Sequence, residues 1–156
     1  MPEPRWLDQE EMRAWMGYRR MRLLLDLQVN RELMAQHGLS EPDYDVLSNL
    51  SEAGDDGMRL SELAAYMRWS KSRLSHHITR MQERGLVERR ECADDGRGSL
   101  LHLTTHGAKM IRNAAPDHVD SVRRHFIDLL TREDIEVFGK ISRRVLDHLR
   151  EIELNH

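Results

Sequence analysis

The stretch WSKSRLSHHITRMQERG, Trp69 to Gly85, crowds Lys71, Arg73, His76, His77, Arg80 and Arg84 into one short segment. Ser70 stands where a helix N-cap belongs, and Gly85 where a helix closes. At about 100° per residue, Leu74, Ile78 and Met81 share one arc and form a core stripe. Ser72, Arg73, His76 and Arg80 share a different arc, with Arg73 and Arg80 almost superimposed. His77 lies between the two, nearer the core side than His76. The spacing predicts a helix anchored on one side that turns cations outward on the other. Ser70, Lys71, Ser72 and Arg73 mark its N-terminal end.

The chain of 156 residues carries a formal net charge of -3, so this concentration of cations runs against the whole. From Arg68 to Arg90 there are seven Lys/Arg against two acids, a local charge of +5, which leaves -8 for the remainder. A basic patch in an acidic body is what a nucleic-acid footprint looks like, since phosphates attract the patch while the body keeps the protein dissolved. A helix with an ordinary solvated face has the same composition, and composition leaves both readings open. No run approaches the roughly 18 apolar residues of a membrane span, and the N-terminal MPEPRWLDQEEMRAW has no apolar core of a signal peptide. The one cysteine, Cys92, precludes an internal disulfide framework. A reducing, cytoplasmic location is expected.

Upstream, residues 8–36 carry Met12, Met16, Leu23, Leu27 and Met34 at helical spacing, and His37-Gly38 ends that segment. Ser40-x-x-Asp43 resembles a capping arrangement, after which Tyr44, Leu47 and Leu50 supply an inward face. EAGDDG is a turn by composition. RLSELAAYM reads as a short helix from about Ser61, broken by Arg68-Trp69, so it and the opening stretch make a helix-turn-helix. Downstream, LVERRE and SLLHL flank CADDGRG, the pattern of a β-hairpin with a long tip. Arg97, between two glycines, suits a narrow, negative minor groove, with Asp95 fixing the turn or pairing with it; a solvated loop cation is the alternative. Thr104 caps a long helix to about Leu130 in which Pro116 should produce a kink or break. Thr131-x-x-Asp134 opens a last helix whose Ile135, Phe138, Ile141, Val145, Leu149 and Ile152 stripe is close to a seam for another helix. The expected fold is mainly α with a small β-hairpin wing.

LSELAAYM, SKSRLSHHITRMQERGLVERR, DDGRG and LHLTTHG, in that order, resemble the MarR family of winged helix-turn-helix transcriptional regulators. The most specific part is ERGLVER, then Asp95-Gly96-Arg97, then Leu103-Thr104-Thr105-His106-Gly107. The resemblance spans nearly the whole chain and implies a single MarR-type domain over 1–156. It implies dimerisation helices at about 8–36 and 105–153, and a winged helix-turn-helix over about 40–104. It further implies an obligate homodimer, with Phe138, Ile141, Val145, Leu149 and Ile152 at the interface. Such a dimer would repress a pseudopalindromic double-stranded DNA operator until a small molecule binds. Ser70, Lys71, Ser72, Arg73, His76, His77 and Arg80 match the recognition helix, and Asp95 and Arg97 the wing-tip pair. Trp15, Tyr18 and Arg19, with Tyr44 and Leu47, are candidates to line a pocket for an aromatic or phenolic effector; Trp15 and Tyr44 also suit core or interface positions. Two departures stand out: Arg68-Trp69 replaces the usual Gly and aliphatic residue at the turn, and His77 occupies a position that is often apolar.

The remaining polar residues point to no second chemistry. His102 and His106 straddle a strand-to-helix boundary. His118 and His125 are seven residues apart with no nearby cysteine, so no compact zinc-type ligand set forms and no metal or other cofactor is expected. Cys92 beside Arg89 and Arg90 is read as a structural or incidental thiol in preference to an oxidant sensor. No nucleophile elbow, phosphate-binding glycine loop or HExxH motif is present, and an enzyme is not expected. An architectural protein that binds DNA without sequence preference is the principal alternative.

Overall fold

A computed structural model describes residues 1–91 and 99–156. Cys92, Asp95 and Arg97 lie outside the described residues. The chain divides into two compact units, residues 26–118 and residues 1–25 with 119–156. The division falls inside the first and fifth helices.

In residues 26–118, α1 (Gln9–His37) ends at Gly38, which takes the left-handed φ of 65°. Ser40 then caps α2 (Glu41–Ala53): its hydroxyl accepts from the Asp43 amide at 3.1 Å and the Asp43 carboxylate accepts from the Ser40 amide at 2.9 Å. The EAGDDG turn is a short 3-10 segment, Gly54–Asp56, followed by β1 (Met58–Arg59) and α3 (Leu60–Met67). β1 escapes a reading by alternation because two residues carry no period. Arg68 closes α3 at φ 58°, a left-handed conformation that a glycine would take without steric cost. Its guanidinium caps the helix end by donating to the Ala65 carbonyl at 3.0 Å. Helix α4 (Lys71–Glu83) follows, then β2 (Val87–Glu91) and β3 (Ser99–Leu103). The strands form an antiparallel sheet of order β1-β3-β2, with Met58 opposite Leu101 and Arg89 opposite Leu101 on its other side. Leu39, Val46, Leu47, Leu63, Leu74, Ile78, Met81 and Leu101 are fully enclosed in one core.

Thr104 opens α5 (Thr105–His125), accepting from the Gly107 amide at 2.9 Å and donating to the Gly85 carbonyl. A Cβ at Gly107 would sit 2.0 Å from the Leu86 carbonyl oxygen, so only glycine lets α5 start this close to the strand entry. Helix α5 runs continuously through Pro116, so the expected break does not occur there. Ile111 and Ala114, both buried, hold the turn before the proline in place, and packing outweighs the one hydrogen bond the ring removes. The helix stops at His125 rather than Leu130, where Phe126 leaves helical angles (φ -139°, ψ -67°) and a 3-10 turn, Ile127–Leu129, follows.

In residues 1–25 and 119–156, Thr131 and Asp134 exchange reciprocal cap bonds of 3.1 and 2.9 Å and start α6 (Arg132–Leu154). Phe126 meets Phe138 edge-on at 5.4 Å between ring centroids. Phe138, Ile141, Val145, Leu149 and Ile152 nevertheless stay 38–50% exposed, as do Met12, Trp15, Met16 and Leu23 on α1 at 44–52%. The helices are complete in backbone bonds while much of their apolar surface is uncovered.

Candidate nucleic-acid interface

Helix α4 is built as the wheel predicts on its apolar side, where Leu74, Ile78 and Met81 are fully buried. Ser70 caps it by accepting from the Arg73 amide at 3.1 Å. Ser70, Lys71, Ser72, Arg73, His76 and Arg80 are all exposed. The structure therefore brings these six sequence-predicted residues onto one open surface, at the N-terminal end and along one side of a helix whose opposite side is anchored. Backbone amides in a first helical turn add positive potential to the same end.

His77 differs from the expectation. It is 8% exposed, and its Nε2 lies 2.9 Å from Asp43 Oδ1. The Arg80 guanidinium, which can only donate, sits 3.3 Å from His77 Nδ1. Nδ1 is thus the nitrogen that meets Arg80, and Nε2 the one beside the carboxylate. His77 belongs to the core side of the helix and is no longer a candidate DNA contact: its ring is buried, with Nε2 beside a carboxylate 34 positions earlier in the chain.

Asp43 is a junction that the sequence hid inside a capping motif. Besides Ser40 and His77 it takes Arg84, whose Nη1 donates to Oδ2 at 2.9 Å while Nη2 donates to the Gly38 carbonyl at 2.8 Å. Burial opposes the ionisation of Asp43, but the bonds from His77, Arg84 and the Ser40 amide outweigh it, and the carboxyl is held well below its usual range. Arg84, one of the cations of the opening stretch, thus pins the end of α4 to the α1–α2 corner. Arg89 is likewise committed: its Nη2 donates to the Ser75 carbonyl and to Thr79 Oγ1, tying β2 to α4. Nothing in the local sequence pairs residues 43 and 84, so only the fold separates structural from exposed cations.

Trp69, at the head of α4, is half-buried against the core. The Arg73 guanidinium carbon lies 3.6 Å from the centre of its ring, and His77 meets the same ring edge-on at 5.5 Å. The candidate effector residues fall in both units. Trp15 and Tyr18, with ring centroids 6.1 Å apart, and Arg19 are on α1 in the helical unit. Tyr44 stacks on His118 at 4.2 Å in the other unit. Leu47 is fully enclosed there, a core residue rather than a pocket wall.

A two-helix turn, an outward basic helix and a flanking antiparallel sheet together define a winged helix-turn-helix protein. A family model described as MarR family matches residues 37–98. The transcriptional regulator HosA of Escherichia coli O127:H6 is 31% identical over 127 residues, 75% of this chain and 91% of its own length. AbsC, a MarR family regulator of Streptomyces coelicolor, superposes with a TM-score of 0.89 at 45% identity over 95% of this chain and 99% of its own. Sco3205 of the same organism, a MarR family regulator solved in complex with DNA, gives 0.89 at 38% identity, over 96% and 93%. The chain belongs to the MarR family; it is a transcriptional regulator and not an enzyme. Among the described residues, no helix is long and apolar enough to cross a membrane.

Proposed function

We propose that the chain acts as a homodimeric repressor of a pseudopalindromic operator and releases that DNA when a small aromatic or phenolic effector binds. The observation that carries the reading is the exposed face of α4: Lys71, Arg73, His76 and Arg80 stand outward with Ser70 and Ser72 while the reverse face is sealed in the core. Arginine can grip guanine O6 and N7 bidentately, and serines and first-turn amides hold phosphates. The DNA complex of the relative at 38% identity supports the same assignment. For the dimer, support comes from the α6 stripe, whose exposed aliphatic side chains would be covered by a second copy. Asp95 and Arg97 are proposed as wing contacts from sequence alone. For the effector, the half-exposed rings of Trp15 and Tyr18 beside Arg19 offer faces and a cation for an aromatic acid.

Duplexes selected from a random pool by the protein, compared with the unselected pool, test the central reading. A specific regulator should prefer the selected duplex by about three decades or more. Equal affinity would assign the chain to non-specific, architectural binding instead. Simple hydroxybenzoic acids should weaken operator binding, and operator should weaken theirs by the same factor.

A further inference from the structure

We infer that Trp69 is a specificity-positioning residue: its indole face holds the Arg73 guanidinium in the orientation from which Arg73 reads a base edge. The inference rests on the reading of α4 as the DNA-facing helix. The guanidinium carbon lies 3.6 Å from the ring centre, contact distance for a stacked cation. Stacking uses the flat face of a guanidinium, whereas bidentate recognition of guanine uses its in-plane N–H edge, so one arginine can do both at once. A free arginine loses several rotamers on meeting a base; one already laid on a ring loses fewer.

The ring is itself held. Its residue follows the left-handed Arg68, and its amide donates to the Ala64 carbonyl at 3.0 Å. One side packs on the core, and His77 meets it edge-on at 5.5 Å with planes at 83°. His77 is in turn fixed by Asp43 at 2.9 Å. A line of contacts thus runs from a buried carboxylate through an imidazole and an indole to the exposed arginine. Asp43, His77 and Trp69 touch no DNA in this scheme; they determine where Arg73 stands.

The test uses the full-length protein and the duplex selected from a random pool, with the random pool as reference. Trp69→Leu keeps an apolar side chain but removes the π face. It should lower the preference for the selected duplex about fivefold per half-site, at the one position Arg73 reads, while affinity for random duplex stays unchanged. Trp69→Phe should restore most of the preference. In an Arg73→Ala background, Trp69→Leu should have no further effect. Arg73→Lys, which keeps the charge but loses both the planar stack and the forked N–H edge, should lose at least as much preference as Trp69→Leu and does not disturb the core. With Trp6 and Trp15 replaced by Phe, Arg73→Lys should also shift the fluorescence of Trp69. Equal losses on selected and random duplex, the same loss with and without Arg73, or a full preference in Arg73→Lys would each reduce Trp69 to a packing residue. A wild-type protein with no preference for any selected duplex would instead overturn the reading of α4 itself.

Discussion

Residues 26–118 and the remaining helices solve the burial problem in opposite ways. The first unit closes on itself: aliphatic side chains from α2, α3, α4 and β3 are fully enclosed, and even its buried charge, Asp43, is surrounded by donors. In the second, Ser121 is the one fully buried side chain among the described residues, while aliphatic residues line α6 in the open. Backbone hydrogen bonds complete a helix without giving it a core, and isolated helices draw little stability from propensity alone. One unit encloses its apolar side chains, and the other leaves a helix-length apolar stripe open.

The contrast makes its strongest demand at Leu149. Leu149→Asp should place an unpaired charge in the proposed dimer seam, a change of several kcal/mol. Light scattering should report a monomer at micromolar concentration, operator binding should disappear, and the fold of residues 26–118 should survive. A dimeric variant would show that the open stripe is not the seam.

Within the closed unit, Gly107→Ala should be nearly as damaging to stability, because the new methyl would lie 2.0 Å from a backbone oxygen. We expect a loss of about 3 kcal/mol in urea unfolding. Wild-type stability would mean that α5 can shift at its start, and that this region is less tightly packed than its glycine implies.

Asp43→Asn should cost about 2–3 kcal/mol at neutral pH by weakening the bonds from His77 and Arg84. The carboxyl of Asp43 is held below its ordinary value of 3.8, so its contribution is fully present above that pH. The contribution is lost as pH falls from there through the depressed native value. The gap in stability between wild type and Asn variant should therefore be constant from pH 7 to about 5 and narrow in stronger acid. A gap that widens on acidification would contradict the assignment of charge at this junction.

The smallest effect belongs to the wing tip. Arg97→Ala should leave fold and dimer intact and weaken operator binding several-fold, most for duplexes with A·T-rich flanks whose narrow minor grooves attract arginine. Competition binding with varied flanks reads this directly, and an undiminished affinity would remove Arg97 from the interface.

Much of this molecule is legible from short-range pattern. The two capping boxes, the breaks at Gly38 and Gly85 and the apolar arc of α4 all lie in neighbouring residues, and they were readable because capping and helical periodicity act within one or two turns. The expectations that failed depend on distant partners. Pro116 does not break α5, because buried Ile111 and Ala114 hold the helix through it. His77, expected among the recognition-helix contacts, is buried beside Asp43. Arg84 and Arg89, to which the sequence assigned no contact, bond to carboxylate, carbonyl and hydroxyl acceptors 41 to 46 and 10 to 14 residues away.

Sequence alone therefore determined the helices, the hairpin, the family and the position of the basic stretch, all properties carried by local spacing and residue type. The tertiary structure decided which cations of that stretch remain open. A histidine or arginine is available to a phosphate or base only if the fold offers it no buried acceptor first, and that competition is settled by parts of the chain far from it in sequence.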